Sequence, residues 1–232
     1  MKPIVKVCGM TDAANIRQVE SLGVDLLGFI FYPRSPRCVC SLPDYLPTRA
    51  RRVGVFVNAT QDEVVQQAAR FGLHYIQLHG HESPDYCRSL HDSCGLPLIK
   101  AFAISDVSDL QATSAYEGIC RYFLFDTKCQ AYGGSGRTFN WELLQHYEGQ
   151  TSFLLSGGIG PTSAPDLCDL RHPLLAGIDL NSRFETSAGI KDVERLRLFL
   201  QELEPFRHTE TEQRVELTHK KQFITHSTNL LM

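Results

Sequence analysis

Eight short apolar runs, recurring at a near-constant interval, constrain this chain more than any other feature. They are IVKVC (4–8), DLLGFIF (25–31), RVGVFV (52–57), YIQLH (75–79), PLIKAFA (97–103), RYFLFD (121–126), SFLLS (152–156) and AGIDL (176–180). Each has the length of a strand rather than a helix, and Val, Ile, Leu and Phe dominate them. Their ends fall roughly 22 to 30 residues apart, which is room for a strand, a loop and a crossover helix. Segments of helical period begin near Asp12, Asp62, Ser83, Asp106, Phe139, Thr162 and Ile190. Several follow a side chain suited to capping: Thr11 or Asp12, Thr60, Ser83, Ser105 and Thr162. Near-continuous apolar strands fit a parallel sheet covered on both faces. An α/β, single-domain (β/α)8 TIM barrel with eight parallel strands is therefore the economical architecture, and a doubly wound open sheet is second.

One unit departs from the rhythm. SLPDYLPTRARR (41–52) carries two prolines and little periodicity, so its helix should be short or degraded. No interior linker divides the chain, and residues 1–206 read as one barrel domain. After Pro205 the chain turns polar and rich in Thr, Glu and His; residues 207–232 are expected to form a mobile C-terminal tail.

Composition excludes several partner classes. The formal net charge of −3, without a basic block, speaks against nucleic acid. The longest apolar run, Leu26 to Phe31, is far too short to span a membrane. MKPIVKVCGM lacks the apolar core of a signal peptide, so a cytoplasmic protein is expected. Its eight cysteines (8, 38, 40, 87, 94, 120, 129, 168) then read as reduced thiols. Neither the Cys38–Cys40 pair nor His79 and His81 has the spacing of zinc ligands, and no metal is expected.

In a barrel, chemistry belongs at the C-terminal strand tips. Period two puts Ile4, Lys6 and Cys8 on one strand face and the two valines on the other. Cys8 at that tip, before glycine, is either a small buried hydrophobe or a functional thiolate. Lys6 below it needs a partner, for which Asp179 and Asp126 are the inward carboxylates. Asp126 ends the sixth run, followed by a loop with Gly133, Gly134 and Gly136. Its carboxyl either points into the mouth, where desolvation would favour a protonated acid, or caps the following loop. SerGlyGlyIleGly (156–160), with Gly157 and Gly158, offers bare backbone N–H groups to a phosphate. The loop from Asp179 through Asn181, Ser182 and Arg183 adds side-chain donors beside it. Arg34 and Arg37, on a proline-stiffened loop, offer guanidinium groups for a carboxylate.

KVCGMT (6–11), GFIFYPRSPR (28–37), VGVFVN (53–58), QLHGHE (77–82), DTKCQAYGGSGRTFNW (126–141), LSGGI (155–159) and DLNSRFETSAGIKD (179–192) together resemble the phosphoribosylanthranilate isomerase family of tryptophan biosynthesis. The resemblance covers nearly everything except the tail. It implies a cofactor-free Amadori rearrangement of N-(5-phosphoribosyl)anthranilate, a small-molecule phosphosugar. Asp126 matches the general acid that opens the ring, and Cys8 the base that removes the C2 proton. Arg37 matches the arginine that holds the anthranilate carboxylate. Gly157, Gly158, Asn181, Ser182 and Arg183 match the phosphate site, although many members carry glycine at the place of Arg183. Gln77, His79 and Asp179 would line the pocket, and the glycine loop at 133–136 would act as a lid. The rival phosphosugar barrels fit less well: the histidine-pathway isomerase would need an aspartate where Cys8 stands, and indole-glycerol-phosphate synthase a lysine and glutamate pattern not seen here. A non-catalytic binding barrel would not need both an acid and a base. Monomer and homodimer are both left open.

Overall fold

Alternation along the eight apolar runs decides the architecture. A computed structural model describes residues 3–127 and 141–204. Its strands are β1 (Ile4–Val7), β2 (Leu26–Ile30), β3 (Arg51–Phe56), β4 (Tyr75–Leu78), β5 (Leu98–Ile104), β6 (Tyr122–Thr127), β7 (Phe153–Ser156) and β8 (Leu175–Leu180). They pair in sequence order, all parallel, and β8 closes onto β1. The expected barrel is the observed one, and the open sheet is excluded. Leu26, Val53, Tyr75, Ile99, Tyr122, Leu124 and Leu154 pack with Ile4 inside it. Val5, Val7, Phe29, Phe123, Phe125 and Leu155 face outward into the layer under the helices. Lys6 and Asp126 therefore share a parity with the interior residues, as the period of two requires.

The helices are α1 (Ala13–Ser21), α2 (Gln61–Phe71), α3 (Pro84–Cys94), α4 (Val107–Gln111), α5 (Ala164–Asp169) and α6 (Val193–Glu202). Their starts follow local capping chemistry. Asp12, Thr60 and Ser83 each accept a backbone N–H of the first turn, and Thr60 forms a reciprocal box with Glu63. Two expected caps shift by one residue: Asp106 rather than Ser105 caps α4, and Ser163 rather than Thr162 precedes α5. The last helix starts later than Ile190, because Ile190–Lys191 (β10) pairs antiparallel with Glu185–Ser187 (β9) and Asp192 takes the cap. The helix expected from Phe139 begins among residues 128–140, outside the described residues; Trp141–His146 is a 3₁₀ segment. The Gly133–Gly136 loop and the 207–232 tail also lie outside them.

Between β2 and β3 there is no helix at all. Pro33, Pro36, Pro43 and Pro47 remove donors and bias their neighbours to extended backbone. Tertiary contacts hold the segment instead. The Glu20 carboxylate, buried on α1, accepts from the backbone N–H groups of Thr48 (2.8 Å), Arg49 (2.6 Å) and Ala50 (3.0 Å), and from the Tyr45 hydroxyl. Burial pushes Glu20 up, but these donors outweigh it and hold the carboxyl below its ordinary range.

A depressed carboxyl contributes stability that is present above the unfolded value and lost as pH falls through the folded one. Glu20→Gln should therefore cost about 2 kcal/mol at neutral pH, because one amide oxygen cannot replace a carboxylate facing four donors. Urea titrations should find that deficit shrinking as the pH drops below the ordinary carboxylate range. A pH-independent deficit would assign the loss to packing.

Candidate active site

The strand tips converge on a cavity of about 320 Å³. Cys8, Gln77, His79, Asp126, Gly157, Gly158, Asp179, Asn181, Ser182 and Arg183 all line it, with Ile30, Val55, Ser156 and Ile159. Of the site residues expected from the sequence, Arg34 and Arg37 are the ones absent from that wall among the described residues. A larger cleft of about 680 Å³ lies between α4 and the Trp141–His146 segment, lined by Val107, Glu117 and Tyr147 among others. It is remote from the strand tips and gathers none of the expected residues, so size does not choose the site.

Cys8 is buried, its backbone N–H donating to Leu180 at 2.8 Å and so tying the end of β1 to β8. Gly28 on β2 makes room for it: a Cβ there would stand 2.7 Å from the Cys8 sulfur. Below the thiol, Lys6 donates to Asp179 at 2.8 Å, with both side chains buried. Of the two carboxylates open to Lys6, β8 supplies the partner, because Lys6 and Asp179 are paired in the β1–β8 register. Burial drives such a pair toward neutrality, down for the lysine and up for the aspartate, and it leaves Asp179 above its ordinary range. For Lys6 burial is outweighed, because Asp179 and the Cys8 sulfur both favour its charge, and it is held protonated.

Lys6 does not by itself prime Cys8. Burial pushes the thiol up; Lys6 and Lys191 pull it down, Asp179 pushes it up again, and the net direction is upward. At rest the sulfur carries its proton.

Across the mouth, Asp126 is less enclosed than an apolar barrel end suggests, with its side chain 39% exposed. The correction has a physical source: Asp126 stands at the rim, where His79 Nε2 is 3.3 Å from its Oδ2. Behind it, the Gln77 amide nitrogen lies 2.9 Å from His79 Nδ1. Gln77 is almost wholly buried, and its Oε1 has no partner among the described residues. Which end of an amide faces the ring is set by the network rather than by shape.

The phosphate-binding expectation rests on two loops that meet. Gly157 and Gly158 have φ of 86° and 65°, conformations open to glycine, and they line the cavity directly after β7. Arg183 stands over Gly160, so the β7 and β8 loops are in contact. The Asn181 side-chain oxygen accepts from Lys191 at 2.7 Å, which leaves its amide hydrogens to donate.

Arg37 lies at the rim. A Cβ on Gly9 would be 2.8 Å from Arg37 Cδ and from Asn181 Oδ1, so the three loops after β1, β2 and β8 pack together beside Cys8. Arg37 is also committed: Nε and Nη2 donate to both oxygens of Glu185 at 2.5–3.0 Å. Arg34 is exposed and outside this cluster. Glu185 and Lys191, which donates to Glu185 at 2.6 Å, were not singled out by the sequence. Their signal was present in FETSAGIKD, where a charged pair straddles a glycine, but nothing local says that the pair closes on Arg37.

Known proteins resemble this chain over nearly all of its barrel. A family described as N-(5'phosphoribosyl)anthranilate (PRA) isomerase matches residues 5–202. N-(5'-phosphoribosyl)anthranilate isomerase of Phocaeicola vulgatus is 52% identical over 200 residues, covering 86% of this chain and 97% of that protein. Its counterpart in Parabacteroides distasonis is 48% identical, covering 86% and 93%. Among solved structures, a phosphoribosyl anthranilate isomerase in complex with reduced 1-(o-carboxyphenylamino)-1-deoxyribulose 5-phosphate superposes with a TM-score of 0.74. It is 29% identical, and the match covers 87% of this chain and 98% of that one.

The arrangement around Cys8 makes a titration testable. Alkylation by iodoacetamide, read on the Cys8 peptide by mass spectrometry, should rise with pH to a midpoint above the ordinary thiol range. Asp179→Asn should move that midpoint down and Lys6→Met should move it up. Identical midpoints in all three proteins would remove Lys6 and Asp179 from any control of the thiol.

Proposed function

The chain belongs to the N-(5'-phosphoribosyl)anthranilate isomerase family, and from that premise we propose that Asp126 and Cys8 divide the acid and base work of its reaction. The enzyme catalyses the Amadori rearrangement of N-(5-phosphoribosyl)anthranilate to 1-(2-carboxyphenylamino)-1-deoxyribulose 5-phosphate, a step of tryptophan synthesis. The observation that carries the division of labour is that Cys8 and Asp126 line one cavity from β1 and β6.

The chemistry requires two groups of opposite kind. Asp126, as the carboxylic acid, gives its proton to the furanose ring oxygen. The C1–O bond breaks, the aniline nitrogen supplies its lone pair, and an iminium forms. That cation acidifies the C2–H. Cys8, once its thiol has released its proton to solvent, removes the C2 proton as the thiolate. The resulting enolamine tautomerises to the ketone by taking up a proton at C1 and losing the one on the C2 oxygen. An iminium developing next to the sulfur also favours the thiolate, and Lys6 adds positive charge below it.

The Gln77–His79 pair suits the acid. With the Gln77 nitrogen toward Nδ1, His79 would donate from Nε2 to an ionised Asp126. Turning the amide lets Oε1, which has no partner among the described residues, accept from Nδ1–H. Nε2 then accepts from a protonated Asp126, so the two amide orientations match the two protonation states of the acid.

At the other end of the substrate, Gly157, Gly158, Asn181, Ser182 and Arg183 would take the phosphate on backbone and side-chain donors. Arg37 would take the anthranilate carboxylate. Residues 1–206 would form the catalytic unit, with 207–232 an extension. No helix among the described residues is long and apolar enough to cross a membrane.

Cys8→Ala and Asp126→Asn should each lower kcat by about 10²- to 10⁴-fold, the usual size of a lost general acid or base. KM should stay within a few-fold in both. Decay of phosphoribosylanthranilate fluorescence measures both constants, and full turnover in either variant would reassign its role.

A further inference from the structure

We propose that Glu185 and Lys191 are positioning residues that hold Arg37 for a substrate carboxylate, and so set the preference for a carboxylate-bearing aromatic amine. The proposal rests on the reading of Arg37 given above and extends it to residues that do not line the cavity.

The geometry is a closed ring around one carboxylate. Glu185 receives two donors from Arg37, one from Lys191 Nζ at 2.6 Å and the backbone N–H of Gly189 at 3.2 Å. Lys191 Nζ reaches on to Asn181 Oδ1 at 2.7 Å. One buried ammonium therefore spans the residue that orients Arg37 and a residue of the cavity wall. The ring is anchored to the loop that carries Cys8. The Lys191 backbone N–H donates to Asn15 Oδ1 at 2.8 Å, and Asn15 Nδ2 donates back to the Lys191 carbonyl at 2.9 Å. Thr11 Oγ1 adds a bond to the Gly189 carbonyl at 3.0 Å. The β9–β10 excursion, placed where the last helix was expected to begin, thus presents Glu185 and Lys191 to the strand-one side of the mouth.

Charge then points to the ligand. Arg37 and Lys191 bring two cations, and Glu185 is the one carboxylate in the ring. Lys6 and Asp179 next to it balance each other. One positive charge is left over in a largely buried setting, where an incoming anion meets little screening. Arg37 can receive it: Glu185 occupies the Nε side, and Nη1 has no hydrogen-bond partner among the described residues. A guanidinium held by one edge offers its other edge in a fixed direction, which a freely rotating arginine would not. The phosphate end is anchored elsewhere, on the β7 and β8 loops, so the leftover charge falls to the aromatic carboxylate.

Titration calorimetry can test this with two probes: reduced 1-(o-carboxyphenylamino)-1-deoxyribulose 5-phosphate and the same compound lacking the carboxyl. The full chain and the Arg37→Met, Glu185→Gln and Lys191→Met variants would be compared, with thermal melting to verify folding. Glu185→Gln keeps the shape of the side chain and decides alone if Lys191→Met does not fold. Both should weaken the carboxylate probe by roughly 10- to 100-fold, the worth of a charge-assisted contact. Glu185→Gln should leave the carboxyl-free probe within about twofold, whereas Lys191→Met, which also releases Asn181 at the phosphate site, should weaken the carboxylate probe by more than it weakens the carboxyl-free one. If Arg37→Met abolishes the preference while Glu185→Gln and Lys191→Met retain it, the positioning role is overturned and the Arg37 reading stands. If Arg37→Met itself retains the preference, the Arg37 reading falls, and this one with it. Equal weakening of both probes in Glu185→Gln would mean a structural role only.

Discussion

The buried contact between Lys6 and Asp179 is what the rest of the site depends on. It crosses the seam where β8 meets β1, at the point where the barrel closes. A lysine and an aspartate inside a barrel are each costly alone, and removal of either partner leaves an uncompensated charge worth several kcal/mol. The pair therefore constrains its neighbours. Cys8 lies two residues beyond Lys6 on the same face, and Asn181 two residues beyond Asp179. The register that satisfies the charges also brings the thiol and the last loop together above them.

Three electrical environments then surround one cavity. On the β1 side, a neutral ion pair lies below a protonated thiol. Beside it, Arg37, Lys191 and Glu185 carry a net positive charge toward the rim. On the β4 and β6 side, Gln77 and His79 back a half-exposed carboxyl. An acid and a base can coexist here because they do not share an environment: the sulfur is buried above the ion pair, and the carboxyl stands at the rim against His79. A further layer of glutamates does quieter work outside the barrel. Glu20 secures the proline-rich segment after β2. Glu82 accepts from Asn58 and Gly80 and pairs with Lys100, and Glu117 gathers Tyr147, Gln150 and Thr151. Each supplies an acceptor for backbone or hydroxyl donors that no helix or strand satisfies, and Glu20 and Glu82 do so from buried positions.

Legibility in the sequence followed the range of the forces involved. Strand count, inward parity of Lys6 and Cys8, and caps at Asp12, Thr60 and Ser83 depend on residues two to four apart, and they could be read directly. Asp106 and Ser163 displaced their neighbours as helix starts because adjacent polar residues compete for the same geometry. Glu185 and Lys191 went unread because their partners, Arg37 and Asn15, lie 148 and 176 residues away.

By itself, then, the sequence determined an eight-fold strand rhythm, the set of reactive strand tips and a family resemblance strong enough to name a reaction. Apolar periodicity and motif identity are local properties that survive without coordinates. Only the tertiary structure decided that Asp179 rather than Asp126 takes Lys6, that burial holds Cys8 as a thiol, and that Asp126 stands half in solvent behind His79. It also decided that Arg37 comes already bound to Glu185. Each of these is a balance of desolvation against a contact made across the barrel, and that balance exists only once the chain has closed.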